Sequence, residues 1–182
     1  IFFLPAMTCK LTTSSKFLPL LTTFRSPTLD GQIIKDDATP FENIAPISEI
    51  VSELDGVPEK VLMLDQYPIP ATKDREYYHG EHHASWWRSG WEDFQKVKAI
   101  LKSRKVNFDK AKYFELGCAS GRVARHVSAQ TSAEVWCADI NARHIEWIRQ
   151  FLSPKIKAFN CTMFPSLPIE SATFDILTAF SV

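Results

Sequence analysis

Residues 113–122 read YFELGCASGR, and they hold the densest chemistry in the chain. An acid, Glu115, closes an apolar run. Five small residues follow: Gly117, Cys118, Ala119, Ser120 and Gly121. Next comes a segment with helical spacing. A buried strand, a tight turn and a helix N-terminus bring a nucleotide-like ligand close to backbone N–H groups, where the helix dipole favours electron-rich atoms. A dinucleotide site would need G-x-G-x-x-G, and here Arg122 stands where the last glycine belongs. Asp139, eighteen residues beyond Gly121, ends a second apolar run. An acid at the end of a second strand is placed to accept hydrogen bonds from ribose hydroxyls, and its other use would be to cap the following helix together with Asn141.

Other residues offer less. His79, His82 and His83 cluster with Glu81, but without H-E-x-x-H spacing and without a distal third ligand, so a polar loop explains them and no metal is expected. Cys118 sits near a helix N-terminus, which can lower a thiol pKa, though inside a tight loop it serves as a small filler. The four cysteines, Cys9, Cys118, Cys137 and Cys161, form no C-x-x-C pair, as in a reduced, cytoplasmic protein. No Ser-His-Asp order is legible, and no catalytic residue is assigned.

These residues need a scaffold. From Lys112 onward strands and helices alternate: strand one at 113–116, a helix at 122–130, strand two at 135–138, a helix beginning after Asn141 with Ile145, Ile148 and Leu152 inward, strand three at 155–159 and strand four at 174–180. Such alternation implies an α/β fold, a Rossmann-like parallel sheet with helices on both sides. Lys155 and Lys157 alternate with Ile156 and Ala158, a pattern that blunts an edge strand. Strands one and four are more uniformly apolar and belong in the middle. The predicted order is 3-2-1-4.

Upstream, Trp87, Trp91, Phe94, Val97 and Leu101 share one face of a helix over 86–104. Ile47, Ile50, Val51 and Leu54 predict a short helix ended by Gly56, and the prolines at 58, 68 and 70 mark 57–72 as a connector. Three regions result: an irregular leader at 1–43, a helical segment at 44–110 and the α/β part at 111–182. The leader has no acid before Asp30, is rich in Ser and Thr, and carries Lys10, Lys16 and Arg25; organellar targeting is the secondary reading of that composition. The 182 residues carry 21 basic and 21 acidic side chains, a balance that points away from nucleic acid. No apolar run approaches the length of a membrane span.

The series Glu115-x-Gly117-x-Ala119-x-Gly121 resembles motif I of class I S-adenosylmethionine-dependent methyltransferases, with Ala119 replacing the middle glycine. Asp139 matches the acid of that family's second strand. Leu167-Pro168-Ile169 followed by Phe174-Asp175-Ile176-Leu177 resembles its LPF…FDLI region, and Trp86-Trp87-Arg88-Ser89-Gly90 is similar to a YWRSG-like helix in its small-molecule members. The resemblance covers residues 86–182. It implies S-adenosyl-L-methionine as cofactor and methyl transfer to a small-molecule acceptor. Gly117, Cys118, Ala119 and Gly121 would lie against the methionine part, Glu115 would orient the loop or receive the ammonium, Asp139 would hold the ribose, Ile140 and Asn160 would flank the adenine, and Phe180 with Ser181 would floor the methyl-transfer site. The family's sheet has seven strands and this chain stops at the fourth, so the resemblance implies a fragment, poorly stable and inactive alone. A nicotinamide-dependent oxidoreductase and a non-catalytic binding module of the same fold are the alternatives.

Overall fold

The computed structural model describes residues 40–162 and 167–180. The leader up to residue 39, the stretch 163–166 and Ser181 lie outside the described residues, so the expectations placed on them have no structural counterpart. Among the described residues no helix is long and apolar enough to cross a membrane.

The strands are β1 (Lys112–Leu116), β2 (Glu134–Asp139), β3 (Ile156–Asn160) and β4 (Ile176–Ala179). They form one sheet in the order β3-β2-β1-β4, every pairing parallel. The Lys-alternating strand is at the edge, as its pattern predicts. The α-helices are α1 (Glu59–Leu64), α2 (His83–Ser103), α3 (Ala124–Gln130) and α4 (Ala142–Phe151).

One face of the sheet, Tyr113, Val135, Cys137, Ile156 and Ile176, packs against apolar side chains of α2, α3 and α4. The other face, Phe114, Ala138 and Phe159, is covered by Leu167, Ile169 and Phe174. Helices on both sides were expected, yet among the described residues these helices share one side. The reason is topological. The crossovers β1–α3–β2 and β2–α4–β3 step the same way across the sheet, and connections of one handedness stepping one way stay on one face. Among the described residues, the return from β3 to β4 supplies the side chains that cover the other.

Helix α2 begins three residues earlier than its periodicity predicts, and its aromatic face is core: Trp87, Phe94, Val97 and Leu101 are buried, with Trp91 half-buried. Gly90 is required by close approach. A Cβ there would collide with the carbonyl of Arg122, so α2 crosses the glycine loop backbone to backbone.

The segment before α2 departs from expectation twice. Ile47–Glu49 and Val51–Glu53 are separate 3-10 turns rather than a helix. Ile47, Ile50 and Leu54 still reach the core, but β-branched residues crowd the preceding turn, and the i→i+3 bonds Ile50 to Ile47 and Leu54 to Val51 are made instead. Conversely, the connector contains α1. Its start signal was present, Pro58 followed by Glu59 in the first turn.

Candidate cofactor site

In an open parallel sheet, ligands lodge outside the carboxyl ends of the strands where the strand order reverses. Here that point lies between β1 and β4, and the glycine loop leaves β1 there. The loop turns through three left-handed residues, Gly117 at φ 67°, Ala119 at φ 45° and Gly121 at φ 81°. Glycine is suited to the first and last. At Gly121 a Cβ would also meet Leu152 Cδ1 at 2.6 Å. Ala119 holds the same hand with a methyl group, a strain of about 1–3 kcal/mol that the surroundings must sustain.

Asp139 supplies that support. One carboxylate oxygen accepts the N–H of Ala119 at 2.7 Å and the other accepts the N–H of Asn141 at 2.8 Å. The acid of β2 is therefore tied to the loop of β1. Burial pulls its carboxyl up, but these N–H donors and His144 outweigh burial and hold it below the usual carboxylate range. It does not cap α4; the side chain of Asn141 does, accepting from the Arg143 N–H. A carboxylate has about four lone-pair positions, so both oxygens retain acceptor capacity.

Glu115 lies beneath the loop, 2% exposed. It accepts the backbone N–H of Ala124 at the start of α3, and Oε2 has no hydrogen-bond partner among the described residues. Burial, only partly offset by the Arg122 guanidinium, pushes its pKa up to about 8. Of the two uses the resemblance implies, this position suits ordering of the loop. A ligand ammonium would have to reach a carboxyl that solvent does not.

Cys118 is buried in the loop. The helix N-terminus does not lower its pKa; burial, with Cys137 beside it, pushes the thiol well up. It is a small core residue, and Cys118, Cys137 and Cys161 are all buried.

Ile140 is 51% exposed immediately after Asp139. Asn160, at the end of β3, donates its Nδ2–H to the carbonyls of Asp139 and Ile140, both at 2.9 Å, and so fixes the exit of β2. Phe180 follows β4 and meets the Arg122 guanidinium, 5.9 Å from its ring centre. That guanidinium is also 5.3 Å from the Tyr78 ring and bonds Asp93 Oδ2 at 2.8 Å and Ser89 Oγ at 3.2 Å. Arg122, read in the sequence only as a missing glycine, thus clamps the loop to α2.

The larger omission is a covering segment, residues 72–82. Ser120 Oγ donates to the Asp74 carbonyl, Arg143 Nε to Asp74 Oδ1, and Asn141 Nδ2 to Glu76 Oε1 at 3.1 Å. The segment is held in shape by Arg75, which donates to the carbonyls of Pro70 and Gly80 and meets His83 Nδ1 at 2.8 Å. The only signal for it was the polar, histidine-bearing stretch itself. Among the described residues no three His, Cys, Asp or Glu side chains converge on a metal position.

No curated protein matches the chain. Residues 114–182 match a family model described as a methyltransferase domain. The glycine loop, Asp139 and the sheet order 3-2-1-4 all fall in or against that span. Over residues 114–182 the chain is similar to methyltransferase domains, and its described strands form a Rossmann-like parallel sheet.

Proposed function

We propose that this protein binds S-adenosylmethionine at the β1 loop and transfers its methyl group to a small-molecule acceptor. The observation that carries the reading is the Asp139–Ala119 hydrogen bond, which sets a carboxylate beside a left-handed glycine-rich loop at the point where the strand order reverses. The residues present fit such a cofactor. Asp139 has acceptor capacity for a ribose diol. The exposed face of Ile140 suits an adenine ring. The backbone of 117–121 can lie against the methionine part. The oxidoreductase reading lacks comparable support: its fingerprint needs a glycine where Arg122 instead carries a buried side chain bonded to Asp93.

The bound sulfonium supplies an electrophilic methyl group. The chain's own work is orientation. The loop and Asp139 fix the ribose and methionine ends, and Phe180 with Tyr78 and Arg122 shape the side nearest β4. Holding reactants in line is where the rate gain of such a transfer can come from. The neutral charge balance favours a small-molecule acceptor over nucleic acid.

Asp139→Ala is expected to weaken S-adenosylmethionine binding about ten- to a hundredfold, the worth of hydrogen bonds to a charged acceptor. Part of that loss comes through the loop, because Ala119 N–H loses its partner. Isothermal titration of variant and parent measures it. Equal affinity in both would remove Asp139 from the site.

A further inference from the structure

The clamp described above uses one corner of the Arg122 guanidinium. Nη1 alone donates to Asp93 Oδ2, at 2.8 Å, and to Ser89 Oγ, at 3.2 Å. Nε and Nη2 have no hydrogen-bond partner among the described residues, and those residues do not seal them, for the side chain keeps 11% exposure. Nε and Nη2 form one edge of the planar group. Such an edge offers two parallel N–H donors, the geometry that matches a carboxylate.

The edge also stands in a suitable place. The Tyr78 ring lies 5.3 Å from the guanidinium carbon and comes from the covering segment. The Phe180 ring lies 5.9 Å from it and follows β4. Arg122 is thus on the side where the strand order reverses, whereas Asp139 belongs to β2.

The charges around it do not balance. Asp93 is divided between Arg122 and Lys96, each at 2.8 Å, one carboxylate against two cations. Arg75 is 2% exposed and bonds neutral groups: the carbonyls of Pro70 and Gly80, the Thr72 hydroxyl and the His83 ring. Glu81 is the acid that acts on it from the same segment. Glu115 faces Arg122 from beneath the loop, but burial keeps it protonated up to about 8. His79 registers the sum: burial first, then Arg122, Arg75 and His82, hold its imidazole below the usual range. The amino-acid end of the cofactor does not answer an excess of positive charge, because its ammonium and carboxylate cancel. A net anion does.

We propose that the Nε–Nη2 edge of Arg122, beside Tyr78 and Phe180, is the acceptor subsite, and that the methyl acceptor is a small organic acid held there by its carboxylate. The assignment as acceptor rests on the S-adenosylmethionine reading; the carboxylate subsite itself does not. A carboxylate drawn into two N–H bonds is a poor nucleophile, so it is the handle and another heteroatom of the same molecule takes the methyl group.

The test uses benzoate, with benzamide as its uncharged isostere, on the intact protein, both unloaded and saturated with S-adenosylhomocysteine. Arginine Nε–H resonances report the contact. Benzoate should bind the loaded parent saturably and move the Arg122 resonance, and benzamide should not. Arg122→Lys keeps the charge and the reach to Asp93 but has no second donor edge; it should weaken benzoate about tenfold. Tyr78→Leu leaves the clamp intact and should weaken benzoate about threefold, so the readout survives if Arg122→Lys fails to fold. Benzoate that binds neither form of the parent, binds no better than benzamide, or binds Arg122→Lys as tightly as the parent overturns the subsite. A second arm separates the two sources of a carboxylate. The affinity ratio of S-adenosylhomocysteine to 5′-methylthioadenosine, which lacks the amino-acid end, should be the same in parent and Arg122→Lys. A ratio that collapses in the variant would give the edge to the cofactor's own carboxylate and overturn the acceptor assignment. Benzoate binding to unloaded parent that takes neither adenosyl ligand would keep the carboxylate subsite, and would overturn the acceptor assignment together with the cofactor reading.

Discussion

Replacing Asp65 by alanine should cost about 3–5 kcal/mol of folding stability, the usual loss when one partner of a buried ion pair is removed. Asp65 is fully buried, and Arg125 on α3 grips it with two bonds, Nε to Oδ2 at 2.7 Å and a terminal nitrogen to Oδ1 at 3.0 Å. The indole of Trp87 donates to Oδ2 at 2.7 Å. Arg125 also donates to the carbonyls of Tyr67 and Pro68. Removing the carboxyl leaves a buried guanidinium without its counter-charge and an indole N–H without an acceptor. Three parts of the chain meet here: the connector after α1, helix α2 and helix α3, which begins just past the glycine loop. Burial raises the Asp65 carboxyl, but Arg125 prevails and its pKa is lowered. A depressed carboxylate pKa gives stability that is present above the unfolded value, near 4, and is lost as pH falls through the folded one. Urea unfolding at neutral pH measures the cost. Asp65→Leu combined with Arg125→Leu should recover much of it, because then no charge is stranded. A loss below 1 kcal/mol for Asp65→Ala would contradict the packing described.

Glu115→Gln should make the protein more stable, increasingly so as pH rises. The carboxyl ionises near 4.5 when unfolded but is held protonated up to about 8 when folded. Between those values the folded state binds the extra proton, so stability falls with rising pH by about 1.4 kcal/mol per pH unit. The full difference at pH 8 is about 5 kcal/mol. Glutamine can accept the Ala124 N–H without ever ionising, and its stability should lack this slope. His126 acts in the opposite sense. It is fully buried, its Nε2 lies 3.1 Å from the Trp87 carbonyl, and burial pushes its pKa down to about 3. The unfolded histidine takes a proton below about 6.5 and the folded one does not, so stability falls as pH drops from 6.5 toward 3. The two slopes cancel between about 4.5 and 6.5. Unfolding free energy should be level there and decline on both sides; Glu115→Gln should remove the alkaline decline and leave the His126 slope uncompensated, so that the variant's stability rises with pH up to about 6.5 and then levels. A variant that tracks its parent from pH 6.5 to 8 would show that Glu115 is not buried in its neutral form.

What the sequence disclosed was local in character. The sheet order was legible because Lys155 and Lys157 betray an edge and because βα alternation leaves few topologies. The glycine loop was legible because left-handed turns need small residues in short range. The 3-10 turns at Ile47–Glu49 and Val51–Glu53 were misread because three-residue and 3.6-residue spacing agree over one turn. Helix α1 was missed because three prolines outweighed one Pro-Glu start. The Asp65–Arg125 pair could not be read at all: sixty residues separate the partners, and nothing local distinguishes them from surface charges. Arg122 was noticed for the glycine it replaces rather than for the Asp93 it binds. The covering segment was invisible for the same reason, since Asp74 and Glu76 gain meaning only through Ser120, Asn141 and Arg143.

The cofactor reading is tested most directly by calorimetric titration of the intact protein with S-adenosylmethionine, S-adenosylhomocysteine and NAD⁺ in parallel. Saturable binding of the first two at one site, with no heat from NAD⁺, is the predicted result. Saturable binding of NAD⁺, or no binding of either adenosyl ligand by folded protein, would contradict it.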